Sequence, residues 1–107
     1  MTPEMTTAQT AKSVTIDIIS VNMAFDTSTI TVPAGAEVTM NLDNQDDGIP
    51  HNVSVYTDSS AAEAIFIGDL ITGPEKVTYT FTAPETPGTY YFQCDVHPFM
   101  NGDFIVE

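Results

Sequence analysis

The chain reads Tyr90-Tyr-Phe-Gln-Cys94-Asp-Val-His97-Pro-Phe-Met100 near its C-terminus. The first half of this run has the aromatic, β-prone composition of a strand that ends at Cys94. In the second half an imidazole follows the thiol after three residues, and a thioether follows after three more. One turn can therefore bring these three side chains to a single ion, at the end of a strand.

His51 is the other metal-seeking side chain. It lies far upstream, in the run Pro50-His51-Asn-Val, as the first residue of another predicted strand whose edge should reach the same end of the domain. Together with Cys94 and His97 it accounts for the only cysteine and both histidines of the chain. With the thioether of Met100, these are the ligands of a trigonal His₂Cys copper site with a weak axial sulfur, a type of site that transfers single electrons.

The rest of the sequence has the pattern of an all-β protein. Apolar and polar residues alternate with a period of two, and turn clusters rich in Pro, Gly and Asp interrupt the alternation. The predicted strands cover residues 14–18, 27–32, 37–42, 51–56, 76–81, 89–94 and 103–107. Residues 59–67 are assigned one helical turn at most, residues 95–102 one tight loop, and Met23 and Met40 core positions. Seven or eight short strands predict a two-sheet antiparallel β-sandwich.

Composition and charge exclude several classes of protein. A chain of 107 residues, 42% of them hydrophobic and 16% charged, has the composition of one globular domain and not of a disordered segment. Fifteen Asp and Glu against two Lys and Arg give a formal net charge of −13. This charge opposes binding to nucleic acid phosphates and to anionic membrane surfaces.

The two ends of the chain differ in character. We predict a flexible N-terminal tail over residues 1–12 and one copper-binding domain over residues 13–107. The tail is polar and aperiodic, and we hypothesise that it remains after removal of a leader or an anchor, which N-terminal sequencing of native protein would test. No stretch approaches the roughly twenty apolar residues of a membrane span, so we expect no membrane insertion by this chain.

The candidate ligands and their surroundings resemble those of the cupredoxins, the small blue copper proteins. The likeness rests on the runs 90–102 and 50–53, and the stretches 30–38 and 78–81 also read like framework strands of that family. It implies a Greek-key β-sandwich with one copper ion. It also assigns a role to five residues, with three equatorial ligands, one axial ligand and one residue that ties the ligand-bearing segments together by hydrogen bonds: His51, Cys94, His97, Met100 and Asn52.

The same resemblance implies a function. It is that of a one-electron carrier, not an enzyme, which cycles between Cu(II) and Cu(I) in the periplasm or at the cell surface. We expect a monomer that docks transiently with redox proteins. Electrons should pass through the exposed edge of His97, inside an apolar docking patch formed by Ile49, Pro50, Pro98 and Phe99.

Acidic residues near the same end predict a basic redox partner. The negative rim that would attract such a partner consists of Asp43, Asp46, Asp47, Asp95 and Asp103. An alternative is that the charge only keeps the protein in solution. Asp95 also departs from the family pattern, since many of these loops have a small hydroxyl residue after the cysteine. If Asp95 lies near the metal, its charge should favour Cu(II) and lower the reduction potential.

Other functions remain open at this point. Zinc could use the same ligands, although a methionine in the set favours copper. Without ligation by Met100 the copper would have an open position for a small molecule such as nitric oxide, and the protein would be a modest redox enzyme. A copper-delivery module, which needs exchange of the ion more than rigidity, is a further alternative.

Overall fold

The computed structural model describes residues 12–107, and over this range the chain is built from strands and turns. The strands are β1 (Ser13–Val21), β2 (Ala24–Phe25), β3 (Thr29–Val32), β4 (Glu37–Asn44), β5 (Pro50–His51), β6 (Ser54–Tyr56), β7 (Ala64–Ile67), β8 (Ile71–Thr72), β9 (Glu75–Thr82), β10 (Gly88–Cys94) and β11 (His97–Val106). This is more than the seven or eight strands predicted, because three of them have two residues each and are too short to produce a periodic pattern.

Two main sheets form a sandwich. The first has the strand order β2-β1-β4-β9 and the second β3-β11-β10-β6-β7, while β5 and β8 make a short separate pair. The predicted all-β two-sheet sandwich is confirmed. The sheets are mixed and not purely antiparallel, because β1 runs parallel to β4 and β3 runs parallel to β11. Side chains alternate between the two faces of a strand in either kind of pairing, so the sequence pattern did not distinguish them.

The core lies between the two main sheets and follows the period-two pattern. In β4, for example, every second side chain from Val38 to Asn44 is buried. The buried apolar side chains of both sheets include Ile18, Ile30, Val32, Val38, Met40, Leu42, Val55, Tyr79, Phe92, Phe104 and Val106. Each large one contributes about 1.5–3 kcal/mol to folding through removal of its surface from water. This core fixes the strand ends that carry the candidate ligands.

The predicted tight loop over residues 95–102 is wrong for most of its length. β11 begins at His97, so only Asp95 and Val96 separate it from β10. The Pro and Gly of this run are typical of loops, but here Gly102 lies in β11, at a point where the chain passes close to the ring of Phe92. A Cβ on Gly102 would lie 2.7 Å from that ring.

Two smaller predictions also change. Residues 64–67 form β7, which pairs with β6, and the described part of the chain has no helical turn there. Met40 is buried as predicted, but Met23 is not a core residue. It lies with Asn22 in the two-residue turn between β1 and β2, where the φ angles of Asn22 and Met23 are 56° and 59°.

β1 begins at Ser13, the first residue of the predicted domain. The carbonyl of Lys12 accepts a hydrogen bond from the Glu37 N–H at 2.7 Å. The rest of the predicted tail, residues 1–11, lies outside the described residues. Between residues 12 and 107 no helix has the length and apolar character needed to cross a membrane.

Candidate metal centre

Three side chains from separate strands meet at one end of the sandwich. Cys94 ends β10, His97 begins β11 and His51 ends β5. The Sγ of Cys94 lies 3.7 Å from the Nδ1 of His51 and 3.7 Å from the Nδ1 of His97. One candidate ligand atom from each of the three lies within 4.8 Å of the others. The fold thus brings residues that are 43 positions apart in sequence around one point.

The spacing of these atoms fits a bound metal ion. Bonds of about 2.3 Å to sulfur and about 2.0 Å to nitrogen leave the two atoms about 3.7 Å apart when they meet at about 120°, the angle of a trigonal site. The observed distances agree with this value. The donor set narrows the choice of ion, because one thiolate and two imidazoles near a thioether are typical of copper. The cluster of His51, Cys94, His97 and Met100 is consistent with a single type 1 copper site.

An irregularity between β10 and β11 shapes the ligand loop. Cys94 pairs with His97 while the preceding residue, Gln93, pairs with Asn101, so the register shifts between them. The intervening residues of β11, 98–100, have no partner on β10. Met100, the last of these, is 3% exposed. The predicted axial ligand is thus a buried side chain of the irregular segment that follows His97.

His51 is fully buried, and a carboxylate lies at its second ring nitrogen. The Nε2 of His51 lies 2.8 Å from Oδ2 of Asp46. An ionised carboxylate only accepts hydrogen bonds, so the N–H on this ring edge, at Nε2, is the donor to Asp46, while Nδ1 faces Cys94. Asp46 also accepts hydrogen bonds from the N–H groups of Asn22 and Met23, at 2.6 and 2.9 Å. No sequence pattern predicted the contact between Asp46 and the turn of Asn22 and Met23, which joins two loops.

Asp95 directly follows the thiolate ligand and is enclosed by donors. Its carboxylate accepts hydrogen bonds of 2.5–3.1 Å from the side chains of Asn52, Ser54, Tyr56 and Gln93. The N–H of Asp95 donates to Oδ1 of Asn52 at 2.8 Å. Asn52 therefore joins the segment after His51 to the segment after Cys94. This is the contact that the family resemblance implied.

Both carboxylates are held in the ionised form. The Met23 N–H lowers the pKa of Asp46 most strongly, and with the other donors to this carboxylate it outweighs the opposing effect of burial. Burial by itself would raise the pKa of Asp95, but the hydrogen bonds from its hydroxyl and amide donors outweigh burial, and the pKa lies below its ordinary value. Two negative charges therefore lie next to the candidate ligands.

The predicted docking residues are sequence neighbours of the two candidate histidine ligands, with two before His51 and two after His97. Phe99 is 67% exposed and Pro98 is exposed, while Ile49 and Pro50 are half-buried. The rings of His97 and Phe99 lie 5.9 Å apart in an edge-to-face arrangement. His97 itself is only partly covered, unlike His51.

Two exposed apolar side chains join this surface. Val96, between the two ligands of the loop, is 45% exposed, and Leu70 is 49% exposed. Leu70 precedes Ile71, which pairs with His51. Neither was predicted as a docking residue, because a single apolar residue in a loop carries no periodic signal.

The acidic rim differs from the one predicted. Asp46 is 8% exposed and Asp95 is enclosed by its donors, so neither presents its charge to a partner in the way the rim requires. The sequence alone predicts a surface position for both, because loop carboxylates usually face water. Asp47 and Asp69 are exposed near the docking residues, while Asp103 lies farther along β11.

A family model described as a Cupredoxin-like domain matches residues 3–106. The chain belongs to the cupredoxin family. Among curated cupredoxins, amicyanin-alpha of Methylorubrum extorquens is 29% identical over 99 residues, which cover 92% of this chain and 77% of the relative. Amicyanin of Paracoccus denitrificans is 31% identical over 96 residues, covering 89% of this chain and 66% of that protein.

Solved cupredoxin structures agree in fold. Reduced auracyanin from Roseiflexus castenholzii superposes with a TM-score of 0.79 at 27% identity, covering 91% of this chain and 99% of its own. Auracyanin A from Chloroflexus aurantiacus, described as a blue copper protein, gives a TM-score of 0.78 at 28% identity, with 90% and 100% covered. Amicyanin from Paracoccus versutus gives 0.61 at 28% identity, with 87% and 81% covered.

Proposed function

We propose that this cupredoxin carries single electrons between redox partners, using one copper ion that alternates between Cu(II) and Cu(I). The observation that supports this most directly is the group of His51, Cys94 and His97, with both imidazoles 3.7 Å from the thiol, at the end of a packed sandwich. When bound there, copper supplies the one-electron couple. The description of auracyanin A as a blue copper protein supports the same function.

The scaffold fits electron transfer better than metal delivery. Cys94 and His51 are both 0% exposed and lie at the ends of strands, so packing restrains their positions. Restrained ligands keep a similar arrangement in both oxidation states of a copper site, which favours rapid electron exchange. A delivery protein would need at least one ligand that leaves easily, and only His97 is near the surface.

His97 is the proposed entry and exit point for electrons. It is partly exposed and surrounded by Val96, Pro98 and Phe99, which give an apolar surface for contact. Interfaces of this transient kind bury less than about 1,200 Å² in total. The net charge of −13 favours a basic partner. Association that slows as salt is added would support this, and a rate that ignores ionic strength would contradict it.

Absorption spectroscopy of the copper-loaded protein tests the function. The wild-type protein should show an intense thiolate-to-copper band in the visible range, which disappears on reduction and returns on reoxidation. The Cys94→Ser variant should lack the band, whereas an Asp103→Asn control, distant along β11, should keep it. A wild-type protein that binds copper without this band would contradict the proposal.

Residence outside the cytoplasm is a second part of the proposal, and it rests on family membership. Fractionation of native cells, with antibody detection of this protein, would test it. Recovery in the cytoplasmic fraction would contradict this part and leave the copper chemistry unaffected.

A further inference from the structure

The turn between β1 and β2 has an unusual backbone conformation, and its N–H groups face Asp46. Asn22 and Met23 both have positive φ, a combination found in type I′ hairpin turns but uncommon for residues other than glycine. Their N–H groups converge on the Asp46 carboxylate, one on each oxygen. A distant hairpin therefore holds the carboxylate that contacts a candidate metal ligand.

Asp46 is also fixed from its own backbone. Its N–H donates to Oδ1 of Asn44 at 3.0 Å. The Nδ2 of Asn44 in turn donates to the carbonyls of Ile49 and Ile71, at 2.8 and 2.9 Å. Ile71 is the strand partner of His51. The backbones of Asp46 and of the strand that carries His51 are thus attached to one hydrogen-bonded frame.

We propose that Asp46, held by the β1–β2 turn, is the positioning residue for His51. The carboxylate keeps the proton of His51 on Nε2, which leaves Nδ1 free to bind the ion. Its charge also raises the electron-donating strength of the imidazole, which stabilises Cu(II) more than Cu(I) and lowers the reduction potential. This inference rests on the proposed copper function and adds a residue to which neither the ligand pattern nor the family resemblance assigned a role.

A purely structural role for Asp46 predicts something different. In that case the carboxylate only closes the β1–β2 turn, and its loss would lower stability without changing the potential. Oδ1 accepts a hydrogen bond from Asn22 alone and so serves only the turn. Oδ2 accepts from both Met23 and His51 and so serves the turn and the candidate ligand. Asp46→Asn keeps the shape of the side chain, removes the charge and loses at least one of these bonds.

The experiment compares the reduction potentials of copper-loaded wild-type, Asp46→Asn and Asp47→Asn proteins. Asp47 is the matched control, because it is the adjacent residue, carries the same charge and is exposed. Loss of an outer hydrogen bond to a metal ligand typically costs about 10–100-fold in affinity. Because this loss should affect Cu(II) more than Cu(I), we expect Asp46→Asn to raise the Cu(I) to Cu(II) ratio at fixed solution potential several-fold and up to about tenfold, the latter equivalent to about 59 mV for a one-electron couple. Asp47→Asn should change the ratio less than about twofold.

A second readout needs no metal. In metal-free protein, ¹⁵N NMR of the His51 ring should find the proton on Nε2 in the wild type and in Asp47→Asn, with part of the population moved to Nδ1 in Asp46→Asn. Should Asp46→Asn fail to fold, the wild-type spectrum decides alone, and a proton on Nδ1 would overturn the inference. Equal potentials in the two variants, with a normal visible band, would also overturn it. Absence of the band from the wild type would instead refute the proposed function.

Discussion

His51 and His97 lie at the same distance from Cys94, yet they differ in burial and in hydrogen-bond partners. His51 is fully buried on a strand that pairs with β8, and its outer nitrogen meets Asp46. His97 is partly exposed at the start of β11, and within residues 12–107 its ring makes a side-chain hydrogen bond only with Cys94. Its ring edge lies among exposed apolar side chains.

The difference separates two tasks that a single ligand could not perform well. A ligand that anchors the ion needs fixed partners and exclusion of water. A ligand that exchanges electrons with another protein needs a surface position, because electron transfer weakens steeply with distance. We propose that His51 performs the first task and His97 the second.

Removal of each histidine in turn should give the largest effect. His51→Gly leaves a buried cavity and an Asp46 carboxylate without its partner, so we expect the metal-free protein to lose about 3–5 kcal/mol of unfolding free energy. His97→Gly should lose about 1 kcal/mol or less, since it removes a surface side chain. Chemical denaturation of the metal-free variants measures both values.

Imidazole added to the two glycine variants sharpens the same comparison. It can reach the opening left at position 97 from solvent, so the visible band of copper-loaded His97→Gly should return. The opening at position 51 is closed to solvent, and the band of His51→Gly should stay absent. Equal rescue of both variants would contradict the division into a buried anchor and a surface contact.

Asp95→Asn tests the side of the centre that faces the thiolate. An amide cannot accept hydrogen bonds on both of its terminal atoms, so at least one donor among Ser54, Tyr56 and their neighbours loses its partner. We expect the metal-free protein to lose about 1–3 kcal/mol of unfolding free energy. The reduction potential of the copper-loaded protein should rise, because a negative charge next to Cys94 has gone. An unchanged potential, equal to that of Asp103→Asn, would refute the electrostatic role of Asp95.

Acid should lower the unfolding free energy of the protein through the carboxylates of Asp46 and Asp95. The pKa values of Asp46 and Asp95 are lowered in the folded protein, so their contribution to stability is complete above the ordinary Asp value of about 3.9. It is lost as the pH falls through the lowered values, because the unfolded chain then binds protons that the folded chain does not. Unfolding of metal-free wild-type and Asp95→Asn proteins, measured from about pH 6 down to about pH 2, should show their stabilities converging at the acid end. A stability gap that stays constant with pH would contradict this.

Phe99→Ser should have the smallest effect on stability and on the copper site. It should act only on the contact of this protein with its redox partners. Phe99 is 67% exposed, so its removal should alter the unfolding free energy by about 0.5 kcal/mol or less. The visible band and the reduction potential should not move. The electron self-exchange rate, measured by NMR line broadening in mixtures of the two oxidation states, should fall several-fold. A normal rate would place the contact surface elsewhere.

Much of the centre was predictable from the sequence because its chemistry is rare. Cys94, His51 and His97 stand out by residue type, and a strand end followed by a short spacing limits where they can meet. The period-two pattern likewise predicted the buried face of β4 and the two-sheet architecture. Signals of this kind are local and need no knowledge of which strands become neighbours.

The supporting residues were not predictable in the same way. Ser54 and Tyr56 face Asp95 because β6 pairs with β10 in one register, with Ser54 opposite Gln93. Asp46, beside His51, accepts hydrogen bonds from the β1–β2 turn, which lies 23 and 24 positions away in sequence. Each of these contacts depends on tertiary pairing, and a serine or an aspartate in a loop looks the same whether it faces water or a metal ligand.

The direction of the outer strands has a practical consequence for attaching this protein to a surface. Ser13 pairs with Glu37 and Val106 pairs with Val32, so both ends of the described domain lie beside the same turn. The ten residues of β11 separate that turn from His97 by about 30 Å at about 3.3 Å per residue. An electrode linked through Glu107 would therefore hold the molecule with its redox end directed toward the solution, free to meet a diffusing partner but too remote for direct exchange with the metal surface.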